Sequence, residues 1–382
     1  MFKWKIYRCL FVFLLLTLSF TLSAAESVIR HPNPRESLDA RWQWALKEAD
    51  GQGDVWIGYS IRRMMYEDSH IGSFHHPPRE EDISLQELLY GAESQPEQSS
   101  LSEEEQLKEA AEKALAEIHN QDYPREKISK EVAILFRLNP ASGSGSPIKD
   151  IKISNLNLAV NLKSLPLYWL GEAENAQSLT LLQEIFKKEN DGEIKEEMIT
   201  AISIHDLSAE VFTFLKSVVN SNEDENIRES AVFWMGQQDS KDALEFLIHA
   251  AENDRSGNIR EEAVFAISQI EIQEATEALI NLARNSRDHD IQKEAVFWLG
   301  QKASKQAESA LTDFAYSHDD FEIQKSAVFA LSQLSDNNGV PKLIEIAKHH
   351  PHPKIRKEAI FWLSQSDDPR AVDTLVDILQ QQ

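Results

Sequence analysis

In the second half of the chain, apolar and polar positions repeat with one fixed period. The phrase AVFWMGQ begins at Ala231 and returns as AVFAISQ from Ala263, AVFWLGQ from Ala295, AVFALSQ from Ala327 and AIFWLSQ from Ala359, each start 32 residues after the last. A period of that size marks stacked supersecondary units, none of which can bury its apolar face without its neighbours. Within each unit the phrase predicts a first helix, and a polar turn follows the Gln. A second helix carries Leu247, Leu279, Leu311, Leu343 or Leu375. Three residues further on stand Ala250, Leu282, Phe314, Ile346 and Ile378, so both sets share one helical face. The fold class this predicts is mainly α, an α-solenoid of helical hairpins.

Residues 26–162 follow another pattern and predict a small mixed α/β region. Leu38, Trp42, Ala45 and Leu46 recur at helical spacing after Pro34, and Gly51 and Gly53 end that segment. Val55, Ile57, Tyr59 and Ile61 then alternate with Trp56, Gly58 and Ser60, as in a half-buried strand. After a polar linker over 91–100, Ser102 and Glu105 form a capping-box pattern, and Leu107, Ala111, Ala114, Leu115 and Ile118 make one apolar stripe. Alternation at Val132, Ile134, Phe136 and Leu138, and again at Leu156, Leu158, Val160 and Leu162, predicts two more strands. The turn-forming stretch Ala141–Pro147 joins them as a hairpin. A sheet at this place covers the apolar end that the first unit of a solenoid leaves open.

The first 25 residues stand apart from either region. Lys3, Lys5 and Arg8 precede an apolar stretch from Cys9 to Leu22, and Ser23-Ala24-Ala25 supplies small residues for a signal peptidase. That stretch is shorter than the about 20 residues a membrane-spanning helix needs. The expected division is therefore a signal peptide at 1–25, the mixed region at 26–162 and the solenoid at 163–382, in a protein that is periplasmic or secreted. Cys9 is the only cysteine. The exported body would thus have no thiolate nucleophile, no disulfide and no cysteine-ligated metal. Losing the leader takes the formal charge from −24 to −27, which disfavours nucleic acid and anionic membrane surfaces as partners.

A family resemblance follows from the start of each first helix. Ile227-Arg228, Ile259-Arg260, Ile291-Gln292, Ile323-Gln324 and Ile355-Arg356 each precede, by two intervening residues, the Ala of the phrase, and the helix ends in Leu-Gly, Leu-Ser or a close variant. This pattern resembles the short HEAT-like repeats of the phycobilisome-lyase type. Weaker echoes at Met198–Ala201 and at Leu167–Gly171 extend the resemblance to about seven units from residue 163 to the end. It implies an extended helical surface used in protein binding, with the second helices on the concave side. It does not by itself imply an activity, since scaffolds, lyases and metalloenzymes share the repeat.

Trp169, Ala201, Trp234, Ala266, Trp298, Ala330 and Trp362 alternate in size at one position, which predicts large-over-small packing in the core. Gln237, Gln269, Gln301, Gln333 and Gln365 end the first helices and are expected to satisfy carbonyls or bridge units. On the second helices Glu245, Glu277, Asp313, Glu345, Asp373 and Asp377 form an acidic face suited to a basic protein partner. His70, His75 and His76, with Glu80 and Glu81, are the densest metal-ligand types, and His349, His350 and His352 cluster in a turn. No phosphate loop, nucleophile elbow or His-Glu-x-x-His helix occurs, and no His is followed by Glu as in the di-iron hydroxylases of similar fold. The expectation is an exported scaffold and not an enzyme, without a cofactor and without stable membrane insertion, able to self-associate through its last repeat. A metal-binding or enzymatic amino-terminal region served by docking repeats is the alternative.

Overall fold

The computed structural model describes residues 28–72, 83–91, 126–140, 147–206, 208–302, 304–334 and 337–380. The chain divides into two compact units, residues 1–207 and 208–382. In the first, strands β1 (Val28–Arg30), β2 (Val55–Tyr66), β3 (Lys127–Leu138), β4 (Ile148–Asn155) and β5 (Leu167–Glu172) form one sheet in the order β1-β5-β2-β3-β4. Strand β5 runs parallel to β1 and β2, while β2, β3 and β4 are antiparallel neighbours. The hairpin expected across Ala141–Pro147 is thus the β3–β4 pair.

Helix α1 (Leu38–Glu48) starts at Ser37, whose hydroxyl accepts from the Ala40 amide at 3.3 Å. It packs on β5, and α3 (Asn175–Lys188) packs on β2. Trp42 meets Phe136 edge-on at 5.1 Å on this side of the sheet. On the other side Trp56, Ala133, Leu135, Leu167 and Trp169 close against Leu85 and Leu89 of α2 (Leu85–Tyr90). With both faces covered, β2 is buried continuously from Val55 to Ile61 and does not alternate in exposure.

Two expectations are corrected here. Leu156–Leu162 is not a strand. Leu156 and Leu162 enter the core beside Trp56, and the Leu162 carbonyl accepts from the Trp56 indole at 3.0 Å, so their alternation reflects a loop that covers the sheet. Leu167–Gly171 is not a repeat helix but strand β5, held between β1 and β2. Gly171, the residue before the last of β5, has φ +83°, a conformation that favours glycine. The buried Arg41 guanidinium then donates to the Leu170 and Glu172 carbonyls. Consecutive helical repeats therefore run from α3 and α4 (Gly192–Ser203), and α4 holds Met198–Ala201. The sheet region lies against α3 and α4, as a cap on the first helices would. The leader, the helix expected over 102–118 and the turn 141–146 lie outside the described residues.

In the second unit, helices containing the phrase alternate with partner helices. The phrase helices are α6 (Glu225–Gly236), α8 (Gly257–Gln269), α10 (His289–Gln301), α12 (Phe321–Ser332) and α14 (Pro353–Ser364). The partners are α5 (Ser208–Val219), α7 (Lys241–Asn253), α9 (Gln273–Asn285), α11 (Lys305–Ser317), α13 (Val340–His349) and α15 (Pro369–Gln380). From α7 on, a partner helix packs more extensively on the phrase helix that follows it than on the one before, so the tight hairpin runs partner first.

The Ile-Arg step explains that order. Arg260, Gln324 and Arg356 each reach back six residues to a carbonyl at the end of the preceding helix, at 3.1, 2.8 and 2.8 Å. Those carbonyls have no partner within their own helix. Arg228 and Arg260 continue to Asp254 and Asp288 in the next turn, at 2.5 and 2.7 Å.

Phrase helices also stack on one another from repeat to repeat, more closely than partner helices do. Within this unit the phrase helices thus form the more closely stacked row. Small residues permit the approach. A Cβ on Gly236 would lie 2.7 Å from the Ala266 carbonyl oxygen, and one on Gly300 would lie 2.9 Å from that of Ala330.

Gly236→Ala is accordingly expected to cost about 1–3 kcal/mol through forced separation of α6 and α8. Gly257→Ala, where the nearest atom is the Arg260 guanidinium at 3.7 Å, is expected to be neutral or mildly stabilising. Denaturant titration followed by circular dichroism checks both, and equal midpoints for the two variants would contradict the packing described.

Candidate functional site

The row of phrase helices carries the feature that sets this surface apart. Ala231, Val232 and Met235 face the core of α6, so Phe233, about 100° further round the helix from Val232, faces outward. The same geometry recurs at Phe265, Phe297, Phe329 and Phe361, and the rings run together in one chain. Phe233 stacks on Phe265 at 6.2 Å, Phe265 meets Trp298 at 4.7 Å, and Trp298 meets Phe297 at 5.1 Å. Phe297 stacks on Phe329 at 6.4 Å, Phe329 meets Trp362 at 4.8 Å, and Trp362 meets Phe361 at 5.0 Å. Trp234 closes the other end against Phe233 at 5.6 Å.

These rings are not the core predicted for the Trp row. Trp234, Trp298 and Trp362 are half-buried, and Phe233 and Phe361 remain 37% and 52% exposed. Trp169 alone of that series is core, in the sheet of the first unit. The size alternation still has a packing role, because Trp298 and Trp362 lean back on the Phe of the preceding, Ala-bearing unit. The Gln row is exposed throughout. Gln269, Gln333 and Gln365 donate only to the adjacent Ser268, Ser332 and Ser364 hydroxyls, at 2.9, 3.0 and 3.2 Å, and bridge no units.

A groove of about 430 Å³ opens beside the row, walled by Glu229, Glu261, Glu262 and Glu294, with Asn258 at its edge and Phe265 and Trp298 as its apolar side. Burial, and then repulsion from Glu229 and Glu294, raises the pKa of Glu262. Burial also raises Glu294, although its carboxylate accepts from the Trp298 indole at 2.7 Å.

The six carboxylates expected to form the site lie on the partner helices and are all exposed. Asp313 pairs with Arg284 at 2.8 Å, Asp377 with Lys348 at 3.4 Å and Glu345 with Lys342 at 4.0 Å. Glu277 accepts from Gln273 at 3.3 Å. Exposed pairs of this kind contribute roughly 0–1 kcal/mol each, so they neutralise the face more than they stabilise it. His70 is exposed, while His75, His76, Glu80 and Glu81 lie outside the described residues. His350 is buried and reaches the Ala315 carbonyl at 3.0 Å, whereas His349 and His352 are exposed. Among the described residues no three His, Cys, Asp or Glu side chains converge as a metal site, and no helix is long and apolar enough to cross a membrane.

One serine and histidine do meet, in the first unit. The Ser178 hydroxyl lies 2.8 Å from His205 Nε2 and 2.8 Å from the Tyr59 hydroxyl, and His205 Nδ1 lies 3.0 Å from the Ile202 carbonyl. All three side chains are buried, so the trio joins β2, α3 and the end of α4 internally and presents no nucleophile at the surface. Burial holds His205 down at about 4 against the carbonyl bonds that favour its charged form. At the β4–α4 contact, burial pushes Glu197 up to about 7, opposed by the Ile151 amide that donates to it at 2.9 Å.

Comparison with known proteins agrees with this architecture. Residues 212–292 and 276–349 match the family model for HEAT repeats, and residues 355–381 match the PBS lyase HEAT-like repeat. Over residues 212–381 the array is thus similar to HEAT-like repeats. No curated protein matches the sequence. Among solved structures, the phycocyanin lyase complex of Nostoc sp. PCC7120 is 21% identical with a TM-score of 0.29, over 44% of this chain and 70% of that one. Human deoxyhypusine hydroxylase is 16% identical with a TM-score of 0.24, over 53% and 77%. Kap95p, in its complex with RanGDP, is 16% identical with a TM-score of 0.32, over 53% and 33%.

Buried His205 and half-buried Glu197 predict opposite pH responses. Folded His205 binds fewer protons than its unfolded form between pH about 6.5 and about 4. Its contribution, roughly 3 kcal/mol, is therefore lost as pH falls through that window. Folded Glu197 binds more protons than its unfolded form between pH 4.5 and about 7, so its contribution is lost as pH rises there. Urea midpoints measured from pH 4 to 8 are expected to show Glu197→Gln more stable than the parent at pH 8 and closest to it at pH 4. A constant difference would refute the assignment.

Proposed function

We propose that this protein is an exported, non-catalytic scaffold whose HEAT-like array binds a protein partner along the phrase helices. The observation that carries this reading is the row of aromatic rings, stacked across successive repeats and left partly open to solvent. A contiguous apolar strip of this kind marks an interaction surface on a soluble protein. The repeat geometry supports it, because contacts too weak to matter singly accumulate along an array. The leader pattern at residues 1–25 supports export to a periplasmic or extracellular space. The carboxylates Glu245, Glu277, Asp313, Glu345, Asp373 and Asp377 on the opposite row favour a basic partner, acting on the rate of encounter more than on the final contact. Val372, Val376 and Leu379, exposed at 54, 47 and 73% on α15, suit self-association of the last repeat.

A photo-crosslinking amino acid placed at Phe233, Phe297 or Phe361 in the producing cell is expected to trap the same protein at all three positions, and the same residue at Glu277 to trap it weakly. Absence of adducts from the phrase row, alongside strong adducts at Glu277, would overturn the proposed surface. Amino-terminal sequencing of the mature protein is expected to start just after Ala25. Partner capture should slow with added salt and in the Glu277→Lys, Asp313→Lys, Glu345→Lys variant.

A further inference from the structure

The groove beside Phe265 and Trp298 differs from the rest of the aromatic row in its charge. Glu261, Glu262 and Glu294 converge there from two successive phrase helices, with Glu229 on a third. On the partner helices three of the six acids described above, Asp313, Glu345 and Asp377, pair with a cation. Here the charges that act on Glu262 from the neighbouring helices are both carboxylates, Glu229 and Glu294. Arg260 and Lys293, next to Glu261 and Glu294 in sequence, pair instead with Asp288 at 2.7 Å and Asp290 at 3.8 Å. Three half-buried or exposed acids beside two aromatic rings form a seat that a cation completes. Its charge relieves the repulsion, and the indole and phenyl groups attract it through their quadrupoles.

The shape of the surface selects the kind of molecule that brings the cation. The groove is not a closed cavity but one station on a strip of Phe and Gln side chains repeated in every unit. Stacked helices stand about 8–10 Å apart, and an extended chain advances about 3.3 Å per residue, so each repeat meets about three residues of such a chain. The exposed Gln amides can both donate and accept, as the main chain of an extended segment requires.

We infer that the phrase-helix face seats an extended segment of a partner protein, with one Lys or Arg side chain inserted between Phe265, Trp298 and the carboxylates of Glu261, Glu262 and Glu294. This rests on the protein-binding reading above and narrows it to one ligand chemistry and one station on the array.

The test is selection of random twelve-residue peptides on the purified full chain, followed by affinity measurement on the enriched sequences. Enriched peptides are expected to share one Lys or Arg at a fixed position. Replacing that residue by Gln should weaken binding about tenfold or more, and so should the Glu262→Gln, Glu294→Gln variant. That variant removes repulsion and is expected to fold at least as well as the parent, which a thermal melt checks. Phe265→Ala should weaken binding as well, while the Glu277→Lys, Asp313→Lys, Glu345→Lys variant should leave equilibrium affinity within about twofold. Peptides without a shared basic residue, binding unchanged in the double Gln variant, or no enrichment at all would overturn the inference. In each of those cases the crosslinks from Phe233, Phe297 and Phe361 report separately on whether the array binds a protein partner.

Discussion

The close approach of successive phrase helices governs the rest of the second unit. Gly236 lies against Ala266 and Gly300 against Ala330, with no room for a Cβ at either glycine. Where backbones come this near, nothing larger fits between them, so the bulky residues of the same helices must lie at the rim of the contact. Phe233 and Trp234 precede Gly236 by three and two residues, and their rings meet those of the neighbouring unit above the tight contact. One constraint thus draws the phrase helices together and lays an aromatic strip along them.

Much of this was legible in the sequence, but unevenly. The 32-residue phrase, the helix pairs and the Ile-Arg step identified the array, because spacing alone places Ala231, Val232 and Met235 on a buried face. Phe233 stands inside an apolar run, which hides that it faces away from the buried Ala231. Its angular position, about 200° round the helix from Ala231, was the signal available. Strand β5 was missed for a related reason, since Trp169 fell on the repeat spacing by coincidence and its parallel partners are distant in sequence. Leu156–Leu162 showed that alternation measures which side chains enter a core and not whether the backbone is paired.

The two rows of the second unit treat charge differently. On the partner helices Arg284–Asp313 and Lys348–Asp377 link successive repeats through exposed, nearly neutral pairs. On the phrase helices the acids gather around Phe265 and Trp298, and burial holds Glu262 and Glu294 toward their protonated forms. A protein surface keeps half-buried like charges together only at a cost in stability, and sites that bind an opposite charge are where that cost is recovered. The first unit shows the reverse arrangement, with Tyr59, Ser178 and His205 satisfying one another internally.

The alternation of Gly-bearing and Ala-bearing phrases also limits how such a chain can change its length. Removing one unit would set Gly236 against the Trp298 phrase in place of Ala266, and two large-residue units would become neighbours. Removing or duplicating two adjacent units would leave every junction as it is. Growth and shrinkage of the array by whole pairs is therefore the mutational path that its packing leaves open, and the binding strip would lengthen or shorten in the same steps.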